Sequence, residues 1–153
     1  MTAEVETPAA DCVLCQRAST LDAEDPGWVL RTGSWGVSTH PAMAIPGWLA
    51  VQTLRHTEGL ALLDEDEAAE LGPLCVRLSA AIAKVSGAQR IYTYSLGEGC
   101  AHTHVLIGPP RRDLRGPTFL RAVLRRDEFL ADEHEANRVA AEVAAELATI
   151  RLR

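Results

Sequence analysis

The chain has little positive charge to offer a polyanion. Its 153 residues carry 15 Lys and Arg against 21 Asp and Glu, a formal net charge of −6 with histidine neutral. A surface of that sign does not draw nucleic acid or anionic membrane non-specifically; either would need a local basic patch. Long apolar runs are also missing. No stretch approaches the ~18 residues that mark a membrane-spanning helix. The sequence therefore predicts neither a nucleic acid polymer nor a membrane as partner. Residues 1–10, MTAEVETPAA, lack the basic start and apolar run of an export signal and read as a flexible leader before a single domain over 11–153. The sequence thus predicts a cytoplasmic, reducing setting, where structural disulfides are rare. Cysteines are few as well: Cys12, Cys15, Cys75 and Cys100. In a reducing setting the Cys12-x-x-Cys15 pair is a metal or redox candidate rather than a staple.

What is present is enough for a core. Apolar residues make up 47% and charged ones 24%, the balance of a globular chain. The segment GWVLRTGSWGVSTH (27–40) reads as two short strands around a Thr32-Gly33 turn, and GWLAVQTL (47–54) as a third, largely buried one. The period then changes. Asp64 and Glu67 form a capping-box start, with acids crowding the first turn. Leu71, Leu74, Cys75, Leu78, Ile82 and Val85 follow at helical spacing, and Gly87 is a natural stop. Pro73 predicts a kink over 69–72. Two further strands, 90–97 and 101–108, are joined by Gly-Glu-Gly and read as a hairpin. A short helix over 116–126 has Pro at its first turn, and an amphipathic helix over 135–152 closes the chain. Strands, one long helix, strands and terminal helices predict an α+β fold with an antiparallel sheet of about five strands.

Chemistry concentrates in GCAHTHVLIGPP (99–110). On a strand, His102, His104 and Leu106 share one face, and Thr103, Val105 and Ile107 the other. Two imidazoles ~7 Å apart along a strand can serve one site. The five histidines are His40, His56, His102, His104 and His134. His56 directly follows a predicted strand, where a side chain is easily fixed, and His134 lies in a polar stretch that reads as solvated surface. A Cys-x-x-Cys turn with two histidines makes a common structural zinc set; free thiols near a terminus are the alternative, and a redox pair lacks the βαβ context expected of it. Trp28, Trp35 and Trp48 are core residues or nucleobase-pocket walls. Arg111 and Arg112, after Gly-Pro-Pro, are the best local phosphate-binding candidates. Arg121, Arg125 and Arg126 read as cover for a helix face, and Cys75 as core.

Over roughly residues 11–112, these landmarks resemble the histidine triad (HIT) superfamily of nucleotide hydrolases and transferases. DCVLC matches its opening Cys-x-x-Cys, PGWLAVQTLRH its strand ending in basic-basic-His, DEDEAAELGPLCVRLSAAIAK its long helix, and HTHVLIGPPR its His-x-His-x-His-x-x-Pro-Arg motif. The resemblance implies a structural zinc ion on Cys12, Cys15, His56 and His102, and His104 as a nucleophile that attacks an α-phosphate to form a nucleotidyl-histidine. It implies a hydrolase of phosphoanhydride or phosphoramidate linkages of a nucleotide or nucleotide-like small molecule, commonly as a homodimer. The departures are specific. Leu106 stands where the third motif histidine is expected, Trp48 where a histidine follows Pro-Gly, and Ser95 where an asparagine is usual; an acidic ribose-holding residue is replaced by His40 or absent. Trp48, Ser95 and Arg111 are the candidate substrate-binding residues. The alternative is a catalytically altered relative that binds a nucleotide or serves a specialised biosynthetic reaction. A second register, with Cys100 as ligand, His102 as nucleophile and His104 as third member, also remains open.

Overall fold

Alternating apolar residues build the sheet. In the computed structural model, which describes residues 10–21, 24–40, 42–111, 113–114 and 116–151, strands β1 (Trp28–Arg31), β2 (Trp35–Thr39), β3 (Leu49–Thr53), β4 (Tyr92–Tyr94) and β5 (His104–Gly108) form one antiparallel sheet. Its order is β1-β2-β3-β5-β4. The chain thus crosses from β3 to the far edge and returns to fill the gap with β5. The central ladder pairs Gln52 with His104, Ala50 with Leu106 and Leu49 with Ile107. The leader falls largely outside the described residues, as does Arg112.

Helix α1 (Val13–Ala18) precedes the sheet, α2 (Glu65–Ser86) links β3 to β4, and α3 (Pro117–Leu124) and α4 (Glu133–Leu147) follow β5. Helix α2 begins where the sequence predicts. Asp64 accepts from the Glu67 N–H at 2.8 Å, and the Glu67 carboxylate accepts from the Asp64 N–H at 2.9 Å. It ends on Gly87, whose φ of 69° suits a residue without a Cβ. The helical assignment runs unbroken through Pro73. Cys75 is half-buried rather than core, the fully buried positions of α2 being Glu67, Leu74, Leu78, Ala81 and Ile82.

The two faces of the sheet bury different residues. Val37, Leu49, Val51, Val105 and Ile107 pack with α2 and α4 in the larger core, into which Trp35 is also sealed. Each fully buried aliphatic side chain there contributes about 1.5–3 kcal/mol. On the other face Trp48 packs with Phe119, Ala122 and Val123 of α3, while Leu106, Tyr92 and Tyr94 flank them. The predicted alternation along 101–108 therefore divides β5 between a sealed core and a face that is only partly covered. No helix among the described residues is long and apolar enough to cross a membrane.

Candidate functional site

The partly covered face carries two adjoining sites, and β5 with the residues just before it serves both. The first is built on α1, a helix not foreseen in the sequence because six residues give too little periodicity. Cys12 is its N-cap and Cys15 lies in its first turn, with the Cys15 N–H 3.4 Å from the Cys12 sulfur. The buried Gln52 on β3 donates to the Leu14 carbonyl at 2.7 Å, which ties this turn to the sheet. On the opposite side Thr103 accepts from Thr57 Oγ1 at 2.7 Å and from the Gly59 N–H at 2.8 Å. That network anchors the loop carrying His56 against the segment carrying His102.

Four donor atoms converge there. The Cys12 sulfur is 3.4 Å from His102 Nδ1, and the Cys15 sulfur is 3.4 Å from His102 Nδ1 and 3.2 Å from His56 Nδ1. One donor atom each of Cys12, Cys15, His56 and His102 lies within 4.8 Å of the others. The outer ring nitrogens are committed elsewhere: His102 Nε2–H donates to the Thr53 carbonyl at 2.9 Å, and His56 Nε2–H to Glu58 at 3.2 Å. In each neutral ring that leaves the Nδ1 lone pair facing the sulfurs, the orientation of a metal-ligating histidine with its outer partner. Burial opposes the Cys12 thiolate, but hydrogen bonds from the Cys15 and Leu14 N–H groups and from the Cys15 and Cys100 thiols together outweigh it and hold the thiol below the ordinary cysteine value. Tetrahedral zinc with ordinary bond lengths places thiolate sulfur and imidazole nitrogen about 3.6 Å apart. The donor set and its spacing fit such an ion. Cys100 stands just outside the group, its sulfur 3.9 Å from that of Cys12.

The second site is a cleft of about 610 Å3 beside the first, lined by His40, Trp48, Tyr94, His104, Leu106 and Arg126 among others. His104 is 6% exposed. Its Nδ1–H donates to the carbonyl oxygen of His102 at 2.7 Å. A carbonyl only accepts, so in the neutral ring Nε2 holds the lone pair. Trp48 forms a buried wall, its indole N–H donating to the Pro109 carbonyl at 2.9 Å. Its ring crosses Gly108, whose missing side chain leaves room for it.

The remaining candidates are placed as follows. The Ser95 hydroxyl donates to the His104 carbonyl at 2.6 Å, bracing the strand rather than lining the cleft. Arg111 is paired with Asp113 at 2.8 and 2.6 Å and lines a different depression with Tyr92, Pro109 and Pro110, so the structure does not bring it to His104. Of the three tryptophans, Trp48 alone lines the His104 cleft, and His134 is exposed. Arg126 departs from the reading of its sequence: it reaches the cleft instead of covering a helix face. His40, which the sequence offers only in place of a missing acid, also lines the cleft.

Known structures share this architecture. A Hit-like protein involved in cell-cycle regulation from Bartonella henselae superposes with a TM-score of 0.67 at 12% identity, covering 92% of this chain and 99% of that one. The fold is that of the histidine triad proteins. A Zn-bound histidine triad family protein from Mycobacterium smegmatis matches with a TM-score of 0.64 at 19% identity, over 91% and 96% of the two chains. The diadenosine triphosphate hydrolase of Plasmodium falciparum matches with a TM-score of 0.61 at 13% identity, over 82% and 79%. At such identities the likeness is one of fold. No family model matches the chain, and no curated protein matches it in sequence.

Proposed function

We propose that this chain is a nucleotide hydrolase of histidine triad type, acting on a phosphoanhydride or phosphoramidate linkage through a His104-nucleotidyl intermediate. The observation that carries the reading is the fixed His104 ring. With Nδ1–H held by the His102 carbonyl, the Nε2 lone pair is the free nucleophile, and His104 lines the cleft. Attack at the α-phosphorus forms an N–P bond as the bond to the leaving group breaks. Water then attacks the same phosphorus, the N–P bond breaks, and the nucleoside monophosphate departs with His104 regenerated. Splitting one displacement into two is the gain from covalent catalysis.

Zinc fits Cys12, Cys15, His56 and His102 as a structural ion, because four protein donors close the shell and leave no position for reacting water. When bound it would clamp α1 to the segment leading into β5; the phosphoryl chemistry belongs to His104. The register with Cys100 as ligand and His102 as nucleophile is disfavoured, since the His102 ring points its Nδ1 at the two cysteines and uses its Nε2 on Thr53.

A second reading has its own observation. Leu106, in place of a third histidine, packs with Trp48 and Tyr94 and makes that wall of the cleft apolar. A chain that binds a nucleotide-like molecule and performs an altered reaction on it fits this wall. The deciding experiment incubates the full chain with a dinucleoside polyphosphate labelled at the α-phosphate. The hydrolase reading expects turnover, acid-labile label on the wild type and none on His104→Ala. Neither turnover nor label on the wild type, with thermal stabilisation by a nucleotide, favours the second reading.

A further inference from the structure

Arg126 stands where the backbone asks for glycine. Helix α3 closes with paired reverse bonds: the Arg126 N–H donates to the Val123 carbonyl at 3.0 Å and the Asp127 N–H to the Ala122 carbonyl at 3.0 Å. Such a closure needs a left-handed residue at its centre, ordinarily glycine. Arg126 takes that role at φ 54°, the one non-glycine with positive φ among the described residues. Strain of this kind points to a job for the side chain.

The side chain has a clear destination. A Cβ placed on Gly99 would meet Arg126 Nη2 at 2.6 Å, so the guanidinium reaches the loop just before His102. It lines both the His104 cleft and an adjoining depression of about 910 Å3, where Arg17 is paired with Asp25 and where Glu24, Glu128 and Glu133 also form part of the wall, so Arg126 is the cation there with no carboxylate partner among the described residues. No hydrogen bond or ion pair joins it to another described residue.

His40 lines the same two spaces. Its Nδ1 accepts from the N–H groups of Ala42 at 3.1 Å and Met43 at 3.2 Å. An accepting nitrogen carries no proton, so the neutral ring bears it on Nε2 as a donor. Burial, with the nearby His104 and Arg126, pushes His40 down to about 4 and keeps it neutral.

We propose that Arg126 and His40 form an anion subsite beside His104 that holds the phosphoryl oxygens of the substrate, the task Leu106 cannot perform. The pair supplies one fixed charge and one neutral donor, a combination suited to phosphoryl oxygens at the junction of the two spaces, and the carboxylates of the outer depression confine that anion site to the Arg126–His40 edge of the cleft. The proposal rests on the reading of His104 as nucleotidyl acceptor, and its test separates the two.

The test titrates the full chain with inorganic phosphate, AMP and adenosine, following the Gly99 amide and the Arg126 Nε signal by NMR. The informative variant is Arg126→Gly, because glycine relieves the strained φ; its Tm should equal or exceed that of the wild type. Phosphate is expected to shift both signals in the wild type. In Arg126→Gly the affinities for phosphate and AMP should fall at least tenfold, while that for adenosine is unchanged. The proposal is overturned if phosphate moves neither signal in the wild type, if the variant binds phosphate and AMP as tightly as the wild type, or if adenosine is lost in parallel. Phosphate binding at Arg126 without any label on His104 would sink the nucleotidyl reading and leave the subsite standing.

Discussion

Substituting Gly108 by Ala tests how the cleft wall is built. A Cβ at this position would stand 2.4 Å from Cδ2, 2.5 Å from Cγ and 2.7 Å from Cε2 of the Trp48 indole. Carbons in favourable contact sit about 3.5–4.0 Å apart, so the overlap is about 1 Å against a rigid ring. Trp48 has little room to yield. It is 3% exposed, bonded to the Pro109 carbonyl, and packed with ring centroids 5.6 Å from Tyr94 and 5.8 Å from Phe119. Overpacking costs about 1–3 kcal/mol, and a lost indole hydrogen bond about 0.5–1.5 kcal/mol more. Replacing glycine returns about 0.4–1 kcal/mol through the unfolded chain. The clash wins, with a net loss centred on about 2 kcal/mol within limits of about 0.5–4 kcal/mol. For a chain of this length a loss of about 2 kcal/mol lowers Tm by about 4–8 °C. Thermal unfolding of Gly108→Ala, Trp48→Leu and the double variant measures it. Once the indole is gone the alanine should cost less than about 0.5 kcal/mol, which is a strong coupling between the two positions. A Gly108→Ala protein melting within a degree of the wild type, or an equal loss in the Trp48→Leu background, would refute this account of the wall.

Metal content should be one zinc per chain by elemental analysis. Cys15→Ser should abolish it and lower Tm, by about 4 kcal/mol of stability if free zinc exceeds its dissociation constant a thousandfold. His102→Ala should lose both the metal and the nucleotidyl label; unchanged metal with abolished turnover would instead establish the register that makes His102 the nucleophile. The acid limb of stability should carry a His40 component. The folded value, about 4, lies below the unfolded 6.5. The unfolded state therefore takes up the proton first, and this component is fully present above about 6.5 and lost as pH falls towards about 4, by at most about 3 kcal/mol before allowing for the ring's partial exposure. In His40→Asn, whose side-chain oxygen can still accept the Ala42 N–H, denaturant midpoints should fall less steeply over that interval; an identical slope would remove the argument.

Features that depend on neighbours in sequence were legible. The α2 boundaries follow from Asp64, Glu67 and Gly87 because capping chemistry acts within one turn. The division of β5 follows from the two-residue period, which sent Val105 and Ile107 to the core and His104 and Leu106 to the open face. Features that depend on distant contacts were not legible. Helix α1 is too short to announce itself and is held by Gln52, 38 residues away along the chain from Leu14. Arg126 turns to the cleft because its direction is set by a left-handed turn that no glycine marks in the sequence. Ser95 and Arg111 show the reverse limit: a motif position names a residue without saying that its side chain faces the cleft.

One carbonyl group joins the two sites, and that bears on how the metal cluster could matter without touching a phosphate. The His102 ring is fixed at both nitrogens, by Thr53 on one side and the cysteines on the other, while the His102 carbonyl oxygen accepts the His104 Nδ1–H. Releasing the ring therefore loosens the acceptor that chooses the His104 tautomer. A neutral imidazole with its proton on Nε2 has no lone pair to offer phosphorus there. The Cys15→Ser protein, which leaves every residue lining the cleft intact, should accordingly bind AMP about as well as the wild type yet turn over slowly, its loss appearing in kcat rather than in Kd. Equal loss of both would mean that the cluster merely holds the fold together, and full activity without metal would mean that the His102 carbonyl keeps its place unaided.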